Sequence, residues 1–160
     1  MRKWSLNRLF TPKMIDIPPV WLLGFILLAY WQSRALDLGL SFGAPWLGDI
    51  GGILIALGLL LMLLAVFEMR KLRTTVIPHQ EASHLVTSGI FRWSRNPIYL
   101  GDVLVLLGLI LRWDAVLSLP LVAIFLKILE TRFIVPEEDA LRHKFNAEFA
   151  QYCLKTRRFF

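Results

Sequence analysis

Residues Ile50 to Phe67 form eighteen consecutive positions without a charge, bounded by Asp49 and Glu68. A helix apolar on every side has no stable place on the surface of a soluble domain, and crossing a bilayer core takes roughly 17–25 mostly apolar residues. The run therefore reads as a transmembrane helix. Ile17 to Ser33 is also uncharged, with Trp21 and Trp31 near its two ends, where indole rings favour the headgroup level. Pro97 to Leu111 carries Asp102, and Ala115 to Val135 carries Lys127, Glu130 and Arg132. Only Arg112, Trp113 and Asp114 separate these two, so they read as antiparallel helices joined by a tight turn. The expected architecture is all-α and polytopic: about four transmembrane helices over 17–33, 50–67, 97–111 and 115–135, a cytoplasmic loop, and a C-terminal amphipathic helix. All of it forms one domain, 1–160.

Charge placement sharpens this. The 160 residues are 56% hydrophobic and 19% charged, against about 45–50% and about 25% for ordinary globular chains, so the net +6 does not describe a free nucleic-acid-binding module. Lys and Arg outside the spans are distributed very unevenly. Four lie in the N-terminal arm (Arg2, Lys3, Arg8, Lys13), five in Glu68–Asn96 (Arg70, Lys71, Arg73, Arg92, Arg95), and five in the tail (Arg142, Lys144, Lys155, Arg157, Arg158). Only Arg34 and Arg112 lie on the other side. The positive-inside rule then assigns both termini and the 68–96 segment to the cytoplasm of a plasma or inner membrane, with anionic lipid headgroups as partners of the basic ends. The first apolar run has no small-residue cleavage pattern, so a signal peptide is not expected. A single cysteine, Cys153, excludes an internal disulfide and a multi-cysteine metal site.

The polar residues of unusual type collect on the cytoplasmic side. Asn96 suits a helix N-cap and Pro97 the first helical position, and the free N–H groups there, beside Arg95, would suit a carboxylate or phosphate. Tyr99 and Asp102 follow on one face at i, i+3. A carboxylate inside an apolar helix is either functional or paired, here with Lys127, Arg132 or Arg95; Lys127 and Glu130 could instead satisfy each other. Pro136-Glu137-Glu138-Asp139 reads as the acidic first turn of a helix whose Leu141, Phe145, Phe149 and Tyr152 form an apolar stripe. His79, His84 and His143 lack the spacing of a helix-borne zinc site, so no metal is expected.

Three stretches carry a family resemblance: Leu85-Val86-Thr87-Ser88-Gly89-x-Phe91, Arg95-Asn96-Pro97-x-Tyr99-x-Gly101, and Glu137-Glu138-x-x-Leu141-x-x-x-Phe145 with Tyr152 and Arg157-Arg158-Phe159. Thr74-Thr75-Val76 with Pro78 looks like the lead-in of bacterial members. Over about residues 68–160 the chain resembles the integral-membrane methyltransferases typified by isoprenylcysteine carboxyl methyltransferase and similar to phospholipid N-methyltransferases. The resemblance implies S-adenosylmethionine as donor and a membrane-resident, lipid-like acceptor, either an isoprenylcysteine carboxylate or a phospholipid amine.

Carried over by position, it implies cofactor contacts from Leu85, Val86, Phe91, Asn96, Pro97, Ile98, Tyr99 and Glu137. Arg95 and Glu138 would shape the catalytic site. The chain departs from the pattern in several places. Ser83 stands where a His is usual, with His84 displaced by one; Phe91 replaces a Tyr; Asn146 stands for a Gly and Phe149 for a Tyr. An arginine used near substrate falls on Phe133, which makes the adjacent Arg132 a further catalytic candidate. Two other readings remain open: a non-catalytic membrane scaffold or permeation subunit, and a methyltransferase acting on a small thiol.

Overall fold

The computed structural model describes residues 16–36, 40–74 and 84–159. The arm cations Arg2, Lys3, Arg8 and Lys13, the Thr75-Val76-Pro78 part of the lead-in, His79 and Ser83 lie outside the described residues. Five α-helices run in the order α1 (Pro18–Ala35), α2 (Trp46–Lys71), α3 (Pro97–Arg112), α4 (Leu119–Leu129) and α5 (Val135–Lys155). Short 3₁₀ turns at Gly89–Arg92 and Val116–Ser118 and a π turn at Glu130–Ile134 connect them, with no strand among the described residues.

The α2–α3 pair is the frame of the molecule, and glycine builds it. Gly51 and Gly58 on α2 are seven residues apart, as are Gly101 and Gly108 on α3. A Cβ on Gly58 would stand 2.6 Å from the Gly101 carbonyl oxygen, and one on Gly108 2.5 Å from the Gly51 carbonyl oxygen. The helices are thus antiparallel and in backbone contact at two levels, as small residues allow in membrane helix pairs. Leu106 and Ile110 of α3 then meet Phe125 and Leu129 of α4, Phe133 and Ile134 of the π turn, and Ala29 of α1 in the main core.

The outer faces remain apolar. Leu23, Leu27 and Trp31 of α1 and Ile53, Leu60, Leu63 and Phe67 of α2 are exposed. Among the described residues α2 alone is long and apolar enough to cross a membrane, and only 17% of its apolar window is buried inside the protein. That is the opposite of a soluble core helix. The four-span expectation narrows accordingly: α3 has sixteen residues, a rise of about 24 Å, and α4 only eleven before the π turn. Helix α2 also extends beyond its uncharged run, through Glu68 to Lys71.

The C-terminal half departs further from expectation. Pro136-Glu137-Glu138 does not open a separate helix, because α4, the π turn and α5 are continuous. Proline lacks an N–H and crowds the carbonyl four residues back, and the π turn that precedes it accommodates both. The acidic residues therefore face no free helix terminus. The Leu141–Tyr152 stripe is likewise interrupted, since Asn146 takes φ +40° and kinks α5. Beyond the kink Phe149 and Tyr152 turn inward and are buried.

Positive φ explains why glycine is usual at this position; asparagine tolerates it better than most residues. Asn146→Gly should be neutral or stabilising by up to about 1 kcal/mol, whereas Asn146→Val should cost about 1–3 kcal/mol. Thermal unfolding in detergent micelles measures both.

Candidate functional site

The loop before α3 is held from two sides. On the α2 side, Glu68 is buried and accepts a hydrogen bond from the Ser88 hydroxyl. Gly89 beside it has φ +58°, and a Cβ there would lie 2.9 Å from the Glu68 carboxyl carbon. Both its conformation and its neighbour demand glycine. The 3₁₀ turn that follows buries Phe91 against Ala65 and Val86.

On the other side the C-terminal tail clamps the loop. Tyr152 donates its hydroxyl to the Phe91 carbonyl at 2.6 Å, and Thr156 donates to the Arg92 carbonyl at 3.3 Å. The Arg95 N–H donates to the Arg157 carbonyl at 3.1 Å. Ser94 Oγ and Asn96 Nδ2 both donate to the Arg158 carbonyl, at 3.2 and 3.1 Å. Asn96 does occupy the N-cap position of α3, yet its side chain makes no cap bond. Its amide is spent on the tail.

Between the loop, α3, α5 and the outer helices lies a cavity of about 900 Å³. Small-molecule sites typically enclose about 300–1,000 Å³. Leu85, Val86 and Phe91 line it from the loop, Asn96, Pro97, Ile98 and Tyr99 from the start of α3, and Glu137 from α5. Arg95 and Glu138 also reach it, and so do His84, His143 and Lys144. The wall contributed by α1 and α2 is apolar: Pro18 and Pro19 of α1, and Met62, Val66 and Met69 of α2.

Arg132 is elsewhere. Its guanidinium bonds Asp16 at 2.9 Å and stacks 5.2 Å from the centre of the Trp21 ring, outside the cavity lining. Phe133, where the resemblance looks for an arginine, is fully buried in the core, its ring 6.4 Å from that of Tyr99.

Two acidic neighbours on α5 have different environments. Glu137 accepts a hydrogen bond from the Tyr99 hydroxyl at 2.7 Å. Burial pushes its carboxyl above the usual carboxylate range, an effect that the Tyr99 hydrogen bond opposes. Glu138, buried, receives Arg158 through Nε at 3.3 Å and Nη2 at 2.7 Å, and Arg95 Nη2 at 3.3 Å. Arg158 Nη1 continues to Glu130 at 2.6 Å, and Lys127 meets Glu130 at 3.1 Å. Arg95 keeps one buried donor, Nε, without a partner.

Asp102 also lines the cavity, 4% exposed, with its Oδ2 buried and unpartnered. The cations weighed as its partners face other carboxylates: Lys127 faces Glu130, Arg132 faces Asp16 and Arg95 faces Glu138.

Two residues that organise this site were given no role in it by sequence. Glu68 reads as the polar end of a span, and its contact with Ser88 bridges twenty residues. Arg158 reads as a tail cation within the basic-aromatic Arg157-Arg158-Phe159 end; its signal was the carboxylates Glu130 and Glu138, to which it is complementary.

Fold and cavity together define an all-helical protein that couples one long apolar helix to a polar-lined small-molecule site. A phospholipid methyltransferase (PEMT) family model matches residues 47–148, from the first turn of α2 to beyond the kink of α5 and well over half of the chain. The protein therefore belongs to the phospholipid methyltransferase family, a family of methyl-transferring enzymes. No curated protein and no solved structure matches it.

Proposed function

We propose that this protein transfers a methyl group from S-adenosylmethionine to a lipid-like acceptor held in the membrane. One observation carries the reading: eight residues from three separate stretches, Leu85 to Phe91, Asn96 to Tyr99, and Glu137, line a single cavity to which α1 and α2 add an apolar wall. The donor, when bound, supplies a methyl group on a sulfonium that an acceptor lone pair can displace in line.

The residues present suit such a ligand. Glu137 offers a shielded carboxylate to its amino group, Arg95 a guanidinium with a spare donor to its carboxylate, and Phe91, Val86 and Leu85 apolar surface to its base. Tyr99 holds Glu137 in position through its hydroxyl. Arg95 is itself held by Glu138. Positioning of this kind can supply much of the acceleration in a displacement that needs little covalent help from the protein. The apolar wall from α1 and α2 supports entry of an acceptor from lipid.

The same reading treats residues 1–160 as one unit. It takes α1, α3 and the stretch from Ala115 to Val135 as further spans beside α2, in a plasma or inner membrane with both termini cytoplasmic. A scaffold or permeation role draws little support, because Lys127 pairs with Glu130 on the outer surface and Asp102 joins no network with them. A small thiol acceptor would have no use for the apolar wall.

Binding of S-adenosylmethionine or its demethylated product to the purified protein tests the proposal. Glu137→Ala should weaken binding about 10–100-fold, the worth of one hydrogen bond to a charged group. Asn96→Ala should weaken it less, since it acts through the tail. A folded wild type that binds neither ligand would sink the enzyme reading. Labelled methyl appearing only in water-soluble products would sink the lipid part.

A further inference from the structure

Of the three carboxyls that line the cavity, Glu137 has Tyr99 and Glu138 has Arg95 and Arg158, whereas Asp102 has its Oδ2 buried without a partner. It lies one helical turn, about 4.5 Å along the axis, beyond Tyr99 and on the same face of α3. The tail clamp and the Glu138 network hold the loop end of the site; Asp102 stands farther along α3, next to Gly101, which the Met62 side chain of α2 approaches. The α2 side chains that line the cavity, Met62, Val66 and Met69, carry no charge that could neutralise Asp102. A buried carboxyl without a partner is costly among apolar neighbours, and a protein gains nothing structural by keeping one. A ligand carrying a cationic donor would satisfy it.

We infer that Asp102 is a catalytic residue at the acceptor end of the cavity, where it binds the ammonium group of an amine acceptor and removes its proton before methyl transfer. This rests on the proposed function and extends it to one residue and one acceptor chemistry. An ammonium has no lone pair to attack with. Transfer of one proton from nitrogen to the Asp102 carboxylate frees that pair. The pair then forms the new N–C bond while the C–S bond of the donor breaks and its electrons stay on sulfur, leaving a neutral thioether. The methylated nitrogen is again cationic, and the proton on Asp102 leaves to solvent when product departs. A carboxylate acceptor fits the same place badly, since it would stand against Asp102 and near Glu137, two groups of its own sign.

The test uses the full-length protein in phosphatidylcholine vesicles containing either phosphatidylethanolamine or S-farnesylcysteine, with methyl-labelled S-adenosylmethionine. Binding of the demethylated cofactor is measured in parallel. Wild type should label the amine lipid. Asp102→Asn, equal in shape but unable to accept the proton, should lose about 10²–10⁴-fold in turnover while binding the demethylated cofactor as wild type does. Asp102→Glu should recover part of the rate. Turnover by Asp102→Asn close to wild type would overturn the inference, as would parallel loss of cofactor binding. Wild type that binds cofactor but labels only S-farnesylcysteine would overturn it while leaving the proposed function standing. Wild type that binds no cofactor would remove both.

Discussion

Glu138→Ala should be the most damaging single substitution in the polar half of the molecule, lowering stability by about 3–5 kcal/mol, the usual cost of removing one partner of a buried ion pair. Its carboxylate receives three guanidinium contacts, two from Arg158 and one from Arg95. Arg158 would keep Glu130. Arg95 would keep no carboxylate, although its side chain is only 15% exposed and already holds one unpartnered donor. The loss would spread along the backbone. The Arg157 and Arg158 carbonyls accept from the Arg95 N–H, Ser94 and Asn96, so a freed tail uncovers the start of α3. Thermal unfolding in micelles should therefore fall together with cofactor affinity. Glu138→Gln keeps acceptors for two of the contacts and should lose distinctly less. Equal melting of Glu138→Ala and wild type would mean that the tail is not held through this residue.

That network also marks where sequence reading stops. Counting cations by segment orients a chain because each Lys or Arg adds one charge wherever it points. The count cannot separate Arg158, facing Glu130 and Glu138, from Arg157, whose side chain is exposed. Long apolar runs located α1, α2 and α3 to within a few residues, because a helix of that length with few charges shows as a continuous stretch of hydropathy. The end of α2 was misjudged because Glu68 looks like a terminus by hydropathy, while its actual environment is the Ser88 hydroxyl. Pro136 was read as a helix start for a sound local reason. A π turn, which has no composition of its own, lets the helix pass through instead.

Arg95, Asn96 and Pro97 stood out as a helix start suited to an anion, but Leu85, Val86, Phe91 and Glu137 were reachable only through motif resemblance. Nothing in the local pattern of Leu85, Tyr99 or Glu137 says that they converge; the two-level glycine contact and the tail clamp bring them together. Asp102 was conspicuous from the start as a charge in an apolar helix. Its lack of a partner became visible only when Lys127, Arg132 and Arg95 were each found facing another carboxylate.

The glycine contact itself makes the other large prediction. Gly58→Ala and Gly101→Ala should each destabilise the protein by about 1–3 kcal/mol, the range for overpacking a close-fitting interface. In both cases the new Cβ would fall 2.6 Å from a backbone carbonyl oxygen of the facing helix, and backbone cannot step aside as a flexible side chain can. The helices must separate. At Gly101 the Cβ would also stand 2.8 Å from Met62 Cγ, and Met62 lines the cavity while Asp102 is the next residue. With the acceptor placed against this wall as proposed, methyl transfer should fall more than cofactor binding. The double variant should cost less than the sum of the singles, since separation at one level makes room at the other side of the same contact. Gly24→Ala supplies the control of opposite sign. No atom lies within 4 Å of a Cβ there, so a helix that only exchanges glycine for alanine should gain about 0.5–1 kcal/mol. If all three glycines responded alike to alanine in thermal unfolding, helix propensity rather than backbone contact would govern this interface.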